Sequence, residues 1–196
     1  MFSPLLAGDM DKVLPVVNAA GSDSAMLDNT LEFLMMAGMD LPLAVMACIP
    51  EPWRNDRSIS RARRDLYHYY STLMEPWDGP AAILFSDGDV VGAVLDRNGL
   101  RPARYYLTDD GRLILASEVG VLDMDPAHIV ERSRLRPGRM LLVDLKQGRV
   151  IGDDELKEGY AARQPYGEWL DQGLVRLREL PIPNKRVERH GRQELR

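Results

Sequence analysis

The sequence contains few residues of the kinds that build disulfides, metal sites or metal clusters. Its 196 residues include one cysteine and three histidines. A single cysteine excludes an internal disulfide framework and cannot ligate an iron–sulfur cluster. The histidines, His68, His128 and His190, lie far apart in the chain and lack metal-ligand spacing, so we predict no metal site. The scarcity of cysteine is typical of a reducing, cytoplasmic compartment, which we expect for this protein.

Long apolar runs and an excess of positive charge are also lacking. No apolar stretch approaches the roughly 18 residues that a membrane-spanning helix requires, so we expect no membrane association. The first residues, from Met1 to Asp9, show neither the basic region nor the apolar stretch of a signal peptide. The formal net charge is −5. This charge argues against nucleic acid or an anionic membrane surface as the main partner.

The composition that remains is that of a globular protein with one core. Hydrophobic residues make up 45% of the chain and charged residues 28%. A chain of this length can bury one good core. The last residues, 182–196, are polar and basic without periodicity, so we predict a disordered tail there. That tail also contains Glu188 and Glu194, which disfavours nucleic-acid binding.

Helical periodicity dominates the first third of the chain. Apolar residues recur at helical spacing between Ser24 and Ala37, where Ser22 or Asp23 can cap the helix and Gly38 can end it. The strongly charged segment 54–64 is expected to be exposed. Helices are predicted over residues 9–16, 24–37, 41–49, 60–74 and 169–177. A further helix is predicted to end at about residue 162, with Asp153 or Asp154 as its N-cap.

The stretch from Glu75 to Glu118 has the pattern of an antiparallel sheet. Asp-Gly and Asn-Gly pairs separate its short apolar runs, and glycine adopts the positive φ that tight turns need. The runs are nearly continuous instead of alternating, which indicates a sheet covered on both faces. We therefore predict a three- or four-stranded meander here, then one short strand and a hairpin. The predicted strands are 80–85, 90–95, 104–108, 113–116, 128–131, 140–145 and 149–151.

Three phrases of this chain resemble a known family. They are MEPWDGPAA, DRNGLRPARY and ASEVGVLD, and in this order and spacing they are similar to the class-II glutamine amidotransferase domain of the glutamate synthase large subunit. The resemblance extends from about Ser3 to about Pro181. It implies an α+β fold that is part of the four-layer αββα N-terminal-nucleophile hydrolase architecture, with antiparallel sheets. It also implies that residues 1–181 are the later, C-terminal portion of that domain.

The chemistry implied by the resemblance is hydrolysis of glutamine to glutamate and ammonia. In the family, an N-terminal cysteine attacks the amide, and an Asn-Gly pair within an Asn-Gly-Glu motif stabilises the oxyanion. The resemblance places both upstream of Met1, so we expect no catalytic residue in this chain and no activity of the chain alone. The ammonia then serves glutamate synthesis from 2-oxoglutarate. FMN and an iron–sulfur cluster are expected only in the full family protein, and no cofactor is expected here.

Ser22, Asp23 and Ser24 form the motif with the sharpest functional interpretation. In class-II amidotransferases a Ser-Asp-Ser motif opens a helix, and the resemblance implies that Asp23, with Ser22 beside it, binds the α-ammonium group of glutamine. A carboxylate beside an ammonium group in a shielded pocket forms a charge-assisted hydrogen bond. The alternative is that Asp23 only caps the helix. One carboxylate has oxygens for both roles.

Asp96, Arg97, Asn98 and Gly99 begin a second distinctive loop. Its guanidinium groups and carboxylate can build an ion-pair network that fixes the loop near the site. The alternative, a structural turn, is favoured because no atom of the loop can be assigned to the substrate. Asn98-Gly99 is not the oxyanion pair, since no glutamate follows it and it lies on the wrong side of Asp23 in chain order.

Cys48 and the three tryptophans are interpreted as parts of the core. Cys48 lies in an apolar helical segment without a nearby histidine, and a buried thiol in such surroundings is inert. Trp53, Trp77 and Trp169 are most simply packing anchors.

The sequence leaves three functional hypotheses open. The chain is a portion of a glutaminase domain that needs an upstream amidotransferase fragment, a non-catalytic glutamine- or amino-acid-binding module, or a structural subunit of a synthase assembly. Its expected partners are glutamine and other glutamate synthase domains. A partial sheet leaves unpaired edges and an uncovered apolar face, so we predict that the isolated chain is marginally stable or pairs with another chain.

Overall fold

The computed structural model describes residues 8–181, which form six α-helices, seven strands and two short 3₁₀ helices, Pro126–His128 and Leu177–Glu179. The predicted tail, 182–196, lies outside this range, as does the start of the chain. The elements are α1 (Met10–Val13), α2 (Asp23–Met36), α3 (Leu41–Cys48), α4 (Arg61–Ser71), β1 (Ala82–Ser86), β2 (Val90–Leu95), β3 (Arg104–Thr108), β4 (Leu113–Ala116), β5 (Ile129–Arg134), β6 (Met140–Asp144), β7 (Arg149–Ile151), α5 (Asp153–Ala161) and α6 (Tyr166–Gly173).

The helices occur where the sequence predicts them, with ends shifted by a few residues. All eight residues of α3 are buried, in agreement with its uniformly apolar sequence. The last helix was misplaced: α6 begins at Tyr166 and ends at Gly173. Tyr166 anchors α6 because its ring packs against Tyr69 and Tyr70 of α4, with centroids 5.4 and 5.9 Å apart.

The seven strands form two antiparallel sheets, so the predicted single meander is wrong. Sheet A has the order β1-β2-β6-β7, and sheet B has the order β4-β3-β5. The hairpin signals correctly paired β1 with β2 and β3 with β4. Between the two hairpins, the loop that contains Asp96 and Pro102 carries the chain from one sheet to the other. A local turn signal cannot reveal this crossing, since it specifies only the nearest pair of strands.

Sheet A lies between the helices and sheet B. Along β2, Val94 packs into the helical core, whereas Ala93 and Leu95 pack into a smaller core shared with sheet B. On β6, Leu142 packs into the helical core and Leu141 packs into the smaller core. The prediction of a sheet covered on both faces, made for residues 75–118, is therefore confirmed for β2, and β6 is covered in the same way. The described residues form three layers: helices, sheet A and sheet B.

Close contact between β1 and β2 depends on a glycine. Gly92 lies opposite Phe85 in the antiparallel register. A Cβ atom at position 92 would overlap the Phe85 ring. Glycine at this position lets the Phe85 side chain cross over β2 and enter the core with the helices.

A buried ion network joins α4, α5 and the loop after α3. Arg63 is only 2% exposed and donates two hydrogen bonds to the Glu51 carboxylate, of 2.5 and 2.7 Å. A further hydrogen bond of 2.8 Å runs from Arg63 to Asp154. The Lys157 ammonium, equally buried, lies 3.2 Å from Glu51 and 2.7 Å from Asp153. Burial lowers the pKa of Lys157, and the carboxylates of Asp153 and Glu51 oppose this effect.

This network corrects two predictions. The segment 54–64 was expected to be exposed, but its residue Arg63 is buried because its guanidinium is paired. The cap of α5 is Gly152, and neither Asp153 nor Asp154 takes that role. Asp153 instead accepts hydrogen bonds from the backbone of Met140 at 2.7 Å and from Arg139 at 2.6 Å. Its carboxylate thus ties the first turn of α5 to the start of β6.

We predict that Lys157→Met lowers the free energy of unfolding by about 3–5 kcal/mol, because Glu51 and Asp153 stay buried with one fewer cation. Urea titration followed by circular dichroism measures this change. Lys146→Met is the matched control: its ion pair with Asp89 is 2.6 Å long but exposed to solvent, so removing it should change the free energy of unfolding far less. Equal effects of the two substitutions would contradict the importance of the buried network.

Stability should also fall on acidification, in part through Asp154. Hydrogen bonds from Arg63 and Arg139 lower the pKa of this carboxyl. A lowered folded-state pKa gives stability that is present above the unfolded pKa of about 4 and lost as the pH falls through the folded value. Asp154→Asn should therefore lose less stability than the wild type between about pH 5 and pH 2, as measured by urea midpoints. Arg139→Gln should act in the same direction. This account is refuted if the urea midpoints of both variants fall with decreasing pH as steeply as those of the wild type.

Candidate functional site

The N terminus of α2 presents a carboxylate, that of Asp23, in the wall of two cavities. The hydroxyl of Ser22 accepts a hydrogen bond from the backbone N–H of Ala25 at 3.3 Å and lies 3.1 Å from the hydroxyl of Ser24. Ser22 is therefore the cap, and Asp23 is the first residue of the helix. Within residues 8–181, the Asp23 carboxylate forms no hydrogen bond or ion pair. The capping role that the sequence could assign to either residue belongs to Ser22.

Asp23 lies in the walls of two open cavities, which also share Trp77. One cavity has a volume of about 390 Å³ and includes Cys48 and Thr30. The other has a volume of about 450 Å³ and includes Ser22, Arg101 and the first residues of β1. The structure thus brings the Ser-Asp-Ser motif together with part of MEPWDGPAA, two sequence features about 50 residues apart.

Trp77 belongs to a segment that we call the strap, residues 74–77. The strap is held to α3 by a 2.7 Å hydrogen bond from the backbone N–H of Trp77 to the carbonyl of Cys48. The indole N–H donates to the carbonyl of Gly79 at 3.2 Å. Trp77 was predicted as a packing anchor, but it is half-buried and forms part of both cavity walls. Its position within a family phrase was the signal that could have identified it.

Arg101 is the second residue that the sequence did not place at this site. It is exposed and lies in the same cavity wall as Asp23. A wall that offers both a carboxylate and a guanidinium suits a zwitterionic ligand, because the two charges can pair with an ammonium and a carboxylate.

Cys48 is buried, as predicted, although it lines the same cavity as Asp23. The residue is 4% exposed, and its neighbours in that cavity include Met26, Leu27 and Met74. Burial raises the pKa of the Cys48 thiol to about 11. A thiol with this pKa is almost wholly protonated at neutral pH and is a poor nucleophile.

The loop that begins at Asp96 is organised by hydrogen bonds to the backbone. The Asp96 carboxylate accepts from the N–H groups of Ala81 at 3.0 Å, Asn98 at 2.9 Å and Gly99 at 3.2 Å. Burial acts to raise the pKa of Asp96, but these hydrogen bonds outweigh it and lower the pKa. Arg97 forms an exposed ion pair with Asp78 at 3.2 Å.

Gly99 gives this loop its shape. Its φ is +60°, and an added Cβ would lie 2.5 Å from the ring of Pro137. The contacts of Asp96, Asn98 and Gly99 are those of a structural turn that links the two sheets. Neither Asp96 nor Gly99 lies in a cavity wall with Asp23, whereas Arg101, later in the same loop, does.

Two other kinds of site are absent from the described part of the chain. Residues 8–181 contain no group of three histidine, cysteine, aspartate or glutamate side chains placed to hold a metal ion. In the same range, every helix is too short or too polar to cross a membrane.

Comparison with known proteins gives one consistent result. The family model for class-II glutamine amidotransferases matches residues 1–169. Similar curated proteins include the glutamate synthase [NADPH] large chain of Bacillus subtilis, 50% identical over 180 residues and 92% of this chain. Glutamate synthase [NADH] of Schizosaccharomyces pombe is 48% identical over 92% of this chain. The ferredoxin-dependent, chloroplastic glutamate synthase of Oryza sativa is 43% identical over 96% of it.

The chain spans only 12%, 9% and 12% of the lengths of these three relatives. Within the chain itself, the match to the family covers the Ser-Asp-Ser motif, the strap, both sheets and the turn network of Asp96. The family model matches residues 1–169, and this range includes every element that builds the Asp23 cavities. The chain therefore belongs to the class-II glutamine amidotransferases.

Proposed function

We propose that this chain forms the glutamine-binding wall of the glutaminase domain of a glutamate synthase. The observation that carries the proposal is the Asp23 carboxylate, which lies at the wall of two cavities and has no partner among residues 8–181. The similar proteins are named glutamate synthases, which supports glutamine as the ligand. In the parent enzyme, the ammonia released from glutamine serves glutamate synthesis from 2-oxoglutarate.

Asp23 accepts hydrogen bonds from the α-ammonium group of glutamine. The N terminus of a helix favours a negative charge, so α2 supports an ionised carboxylate at its first residue. Ser22 fixes the start of the helix and hence the direction of Asp23. Arg101 supplies a positive charge on the same wall, and Trp77 forms part of that wall. The chain thereby binds and orients the amino-acid end of glutamine.

The nucleophile comes from outside this chain. Cys48 is unsuited to attack because burial keeps its thiol protonated. In this proposal, residues 1–181 are the later portion of the amidotransferase domain, and an upstream segment supplies the catalytic cysteine and the oxyanion donors. FMN and the iron–sulfur cluster belong to other domains of the parent protein. Location in the cytoplasm also stays a prediction.

Two uncovered surfaces, the edge of β1 and the outer face of sheet B, support the pairing of this chain with an additional polypeptide segment. Among the strands of residues 8–181, only β2 pairs with β1, and the β1 residues Ala82 and Ile83 line a cavity with Asp23. A strand added at this edge would lie next to Asp23. Beyond sheet B, Val119 and Leu122 are 62% and 56% exposed. A helical layer over that face would complete the four-layer αββα arrangement.

A second candidate function is amino-acid binding without catalysis. Two observations favour it: a carboxylate in a cavity wall with no partner in the described part of the chain, and a thiol that is buried and protonated. The two candidates differ in whether a segment with an N-terminal cysteine joins this chain. A purely structural subunit would show neither glutamine binding nor dependence on Asp23.

We predict that Asp23→Asn weakens the binding of L-glutamine by at least about tenfold, because the charge-assisted hydrogen bond to the ammonium group is lost. Isothermal titration calorimetry of the 196-residue chain measures this effect. Asp28→Asn, an exposed aspartate on the same helix, is the matched control and should bind as the wild type does. The glutamine analogue without its amino group should bind weakly and equally to wild type and Asp23→Asn. Unchanged affinity of Asp23→Asn for glutamine would refute the assigned role.

We also predict that Cys48 reacts with iodoacetamide at neutral pH at least about a hundredfold more slowly than a free thiol, owing to its raised pKa and its burial. Mass spectrometry follows the alkylation, and unfolding in urea should restore the normal rate. The purified chain should release no ammonia from glutamine, and Cys48→Ala should bind glutamine as the wild type does. Ammonia release that disappears in Cys48→Ala would show that Cys48 is the nucleophile after all.

A further inference from the structure

Three arginines lie together on the outer face of sheet B. Arg134 of β5 lies directly opposite Arg104 of β3 in the antiparallel register, and Arg132 lies two residues from Arg134 on the same strand. Side chains in these relations project from the same face of a sheet. All three are exposed, and none forms an ion pair or a side-chain hydrogen bond within residues 8–181. Because like charges directly opposite each other destabilise a sheet, the stability of sheet B does not explain this cluster.

The three arginines project away from the core because the residues between them point inward. Tyr105, next to Arg104 on β3, packs against the smaller core that sheet B shares with sheet A. The Tyr105 hydroxyl donates a hydrogen bond of 3.0 Å to Glu131 of β5. Successive residues of a strand alternate between its two faces, so the Glu131 carboxylate is turned away from Arg132.

An open cavity of about 550 Å³ lies on the same face. Its wall contains the three arginines, Tyr106, and the apolar side chains of Val119, Leu122 and Met124 from the segment after β4. No aspartate or glutamate among residues 8–181 lines this cavity, although the chain carries a formal net charge of −5. The face therefore offers positive charge beside exposed apolar surface, and in the described part of the chain neither is matched.

These charges disfavour two candidate occupants of the face. A symmetric contact with a second copy of the chain places the same patch on both sides, so arginines would face arginines. Residues 182–196 contain five lysines and arginines but only two glutamates, so this segment has the same sign of charge as the face. The complementary occupant carries carboxylates together with apolar side chains.

The spacing of the arginines fits carboxylates on a helix. Positions two residues apart on one strand are about 7 Å apart, and side chains at i and i+4 of a helix are about 6 Å apart. Glutamates one turn apart can therefore pair with Arg132 and Arg134 at the same time. The apolar stripe of such a helix would then cover Val119 and Leu122, which is the usual way in which a helix packs on a sheet.

We infer that the outer face of sheet B binds an acidic amphipathic helix of a further polypeptide segment. Arg104, Arg132 and Arg134 pair with the carboxylates of this helix, and residues 119–124 contact its apolar stripe. The inference rests on the proposed function, in which an additional segment covers this face. It adds the charge and the apolar pattern that the segment must have.

Methyl NMR of the 196-residue chain labelled with ¹³C-methyl methionine tests the inference. The probe is an acetylated and amidated peptide with two repeats of Leu-Ala-Glu-Leu-Ala-Ala-Glu, in which the glutamates form a row beside the leucines. It should shift the Met124 signal in a saturable way and leave the signal of Met46, buried in the helical core, unchanged. Met124→Leu and Met46→Leu assign the two signals. The same peptide with glutamine in place of glutamate should bind at least about tenfold more weakly.

Substitutions separate the contribution of the arginines from that of the apolar surface. Arg132→Gln and Arg134→Gln should each weaken the binding of the acidic peptide about threefold, and neither should change the binding of the glutamine peptide. Arg112→Gln is the matched control, because Arg112 is exposed at the turn between β3 and β4 and is paired with Asp110 at 3.0 Å. It should leave both affinities unchanged. The Met46 signal reports whether each variant is folded.

Four results would overturn the inference. The acidic peptide gives no saturable shift of Met124 up to about 1 mM. The glutamine peptide binds as tightly as the acidic one, so the contact is apolar only. Inorganic phosphate shifts Met124 with the same affinity at equal ionic strength, so the site is one for small anions. Met124 shifts with protein concentration alone and sedimentation shows dimers, so a second copy occupies the face.

Calorimetry with L-glutamine separates this inference from the proposed function. The double variant Arg132→Gln/Arg134→Gln should bind glutamine as the wild type does, because neither arginine lines a cavity with Asp23. Glutamine binding without binding of the acidic peptide overturns only the inference. Peptide binding as expected, without glutamine binding, overturns only the role assigned to Asp23.

Discussion

The fold depends on a buried ion network that is centred on Arg63. Two cations, Arg63 and Lys157, and the carboxylates of Glu51 and Asp153 are removed from water between α4, α5 and the loop after α3. Removing charges from water is costly, so such a network holds only while every member has its partners. The sheet and the helices are consequently fixed relative to each other by directional contacts in addition to apolar packing.

The same network reaches the candidate site through backbone hydrogen bonds. Lys157 donates to the carbonyl of Gly138 at 2.7 Å, and the N–H of Gly138 donates to the carbonyl of Asp96 at 3.1 Å. The Asp96 carboxylate in turn accepts from the N–H of Ala81 at 3.0 Å, and Ala81 lies in the cavity wall with Asp23. The loop DRNGLRP therefore holds part of the cavity wall in place. Its Asp96 carboxylate is occupied by these backbone hydrogen bonds.

Membership of the class-II glutamine amidotransferases gives this architecture a consistent explanation. Under the proposed function, the chain contributes the wall that recognises an amino acid, and the strap also lines a separate aromatic cavity. The thiol of Cys48 lies close by, but burial raises its pKa. In that proposal, binding and bond cleavage belong to different parts of the family's domain, and this chain provides the binding part.

The sequence by itself determined the elements and the family. Turn pairs such as Asp-Gly located the hairpins, and periodicity located α2. The apolar run that precedes Pro50 located α3, and the phrase Ser22-Asp23-Ser24 identified the start of a helix that lines the candidate site. Tertiary structure alone decided that the two hairpins belong to different sheets, that Ser22 is the cap, and that Arg63 and Lys157 are buried. It also decided that Trp77 and Arg101 lie beside Asp23. The physical reason is that local patterns report contacts between neighbours in the chain, whereas the burial of a charge depends on partners far along the chain. Asp154, for example, lies 91 residues from Arg63.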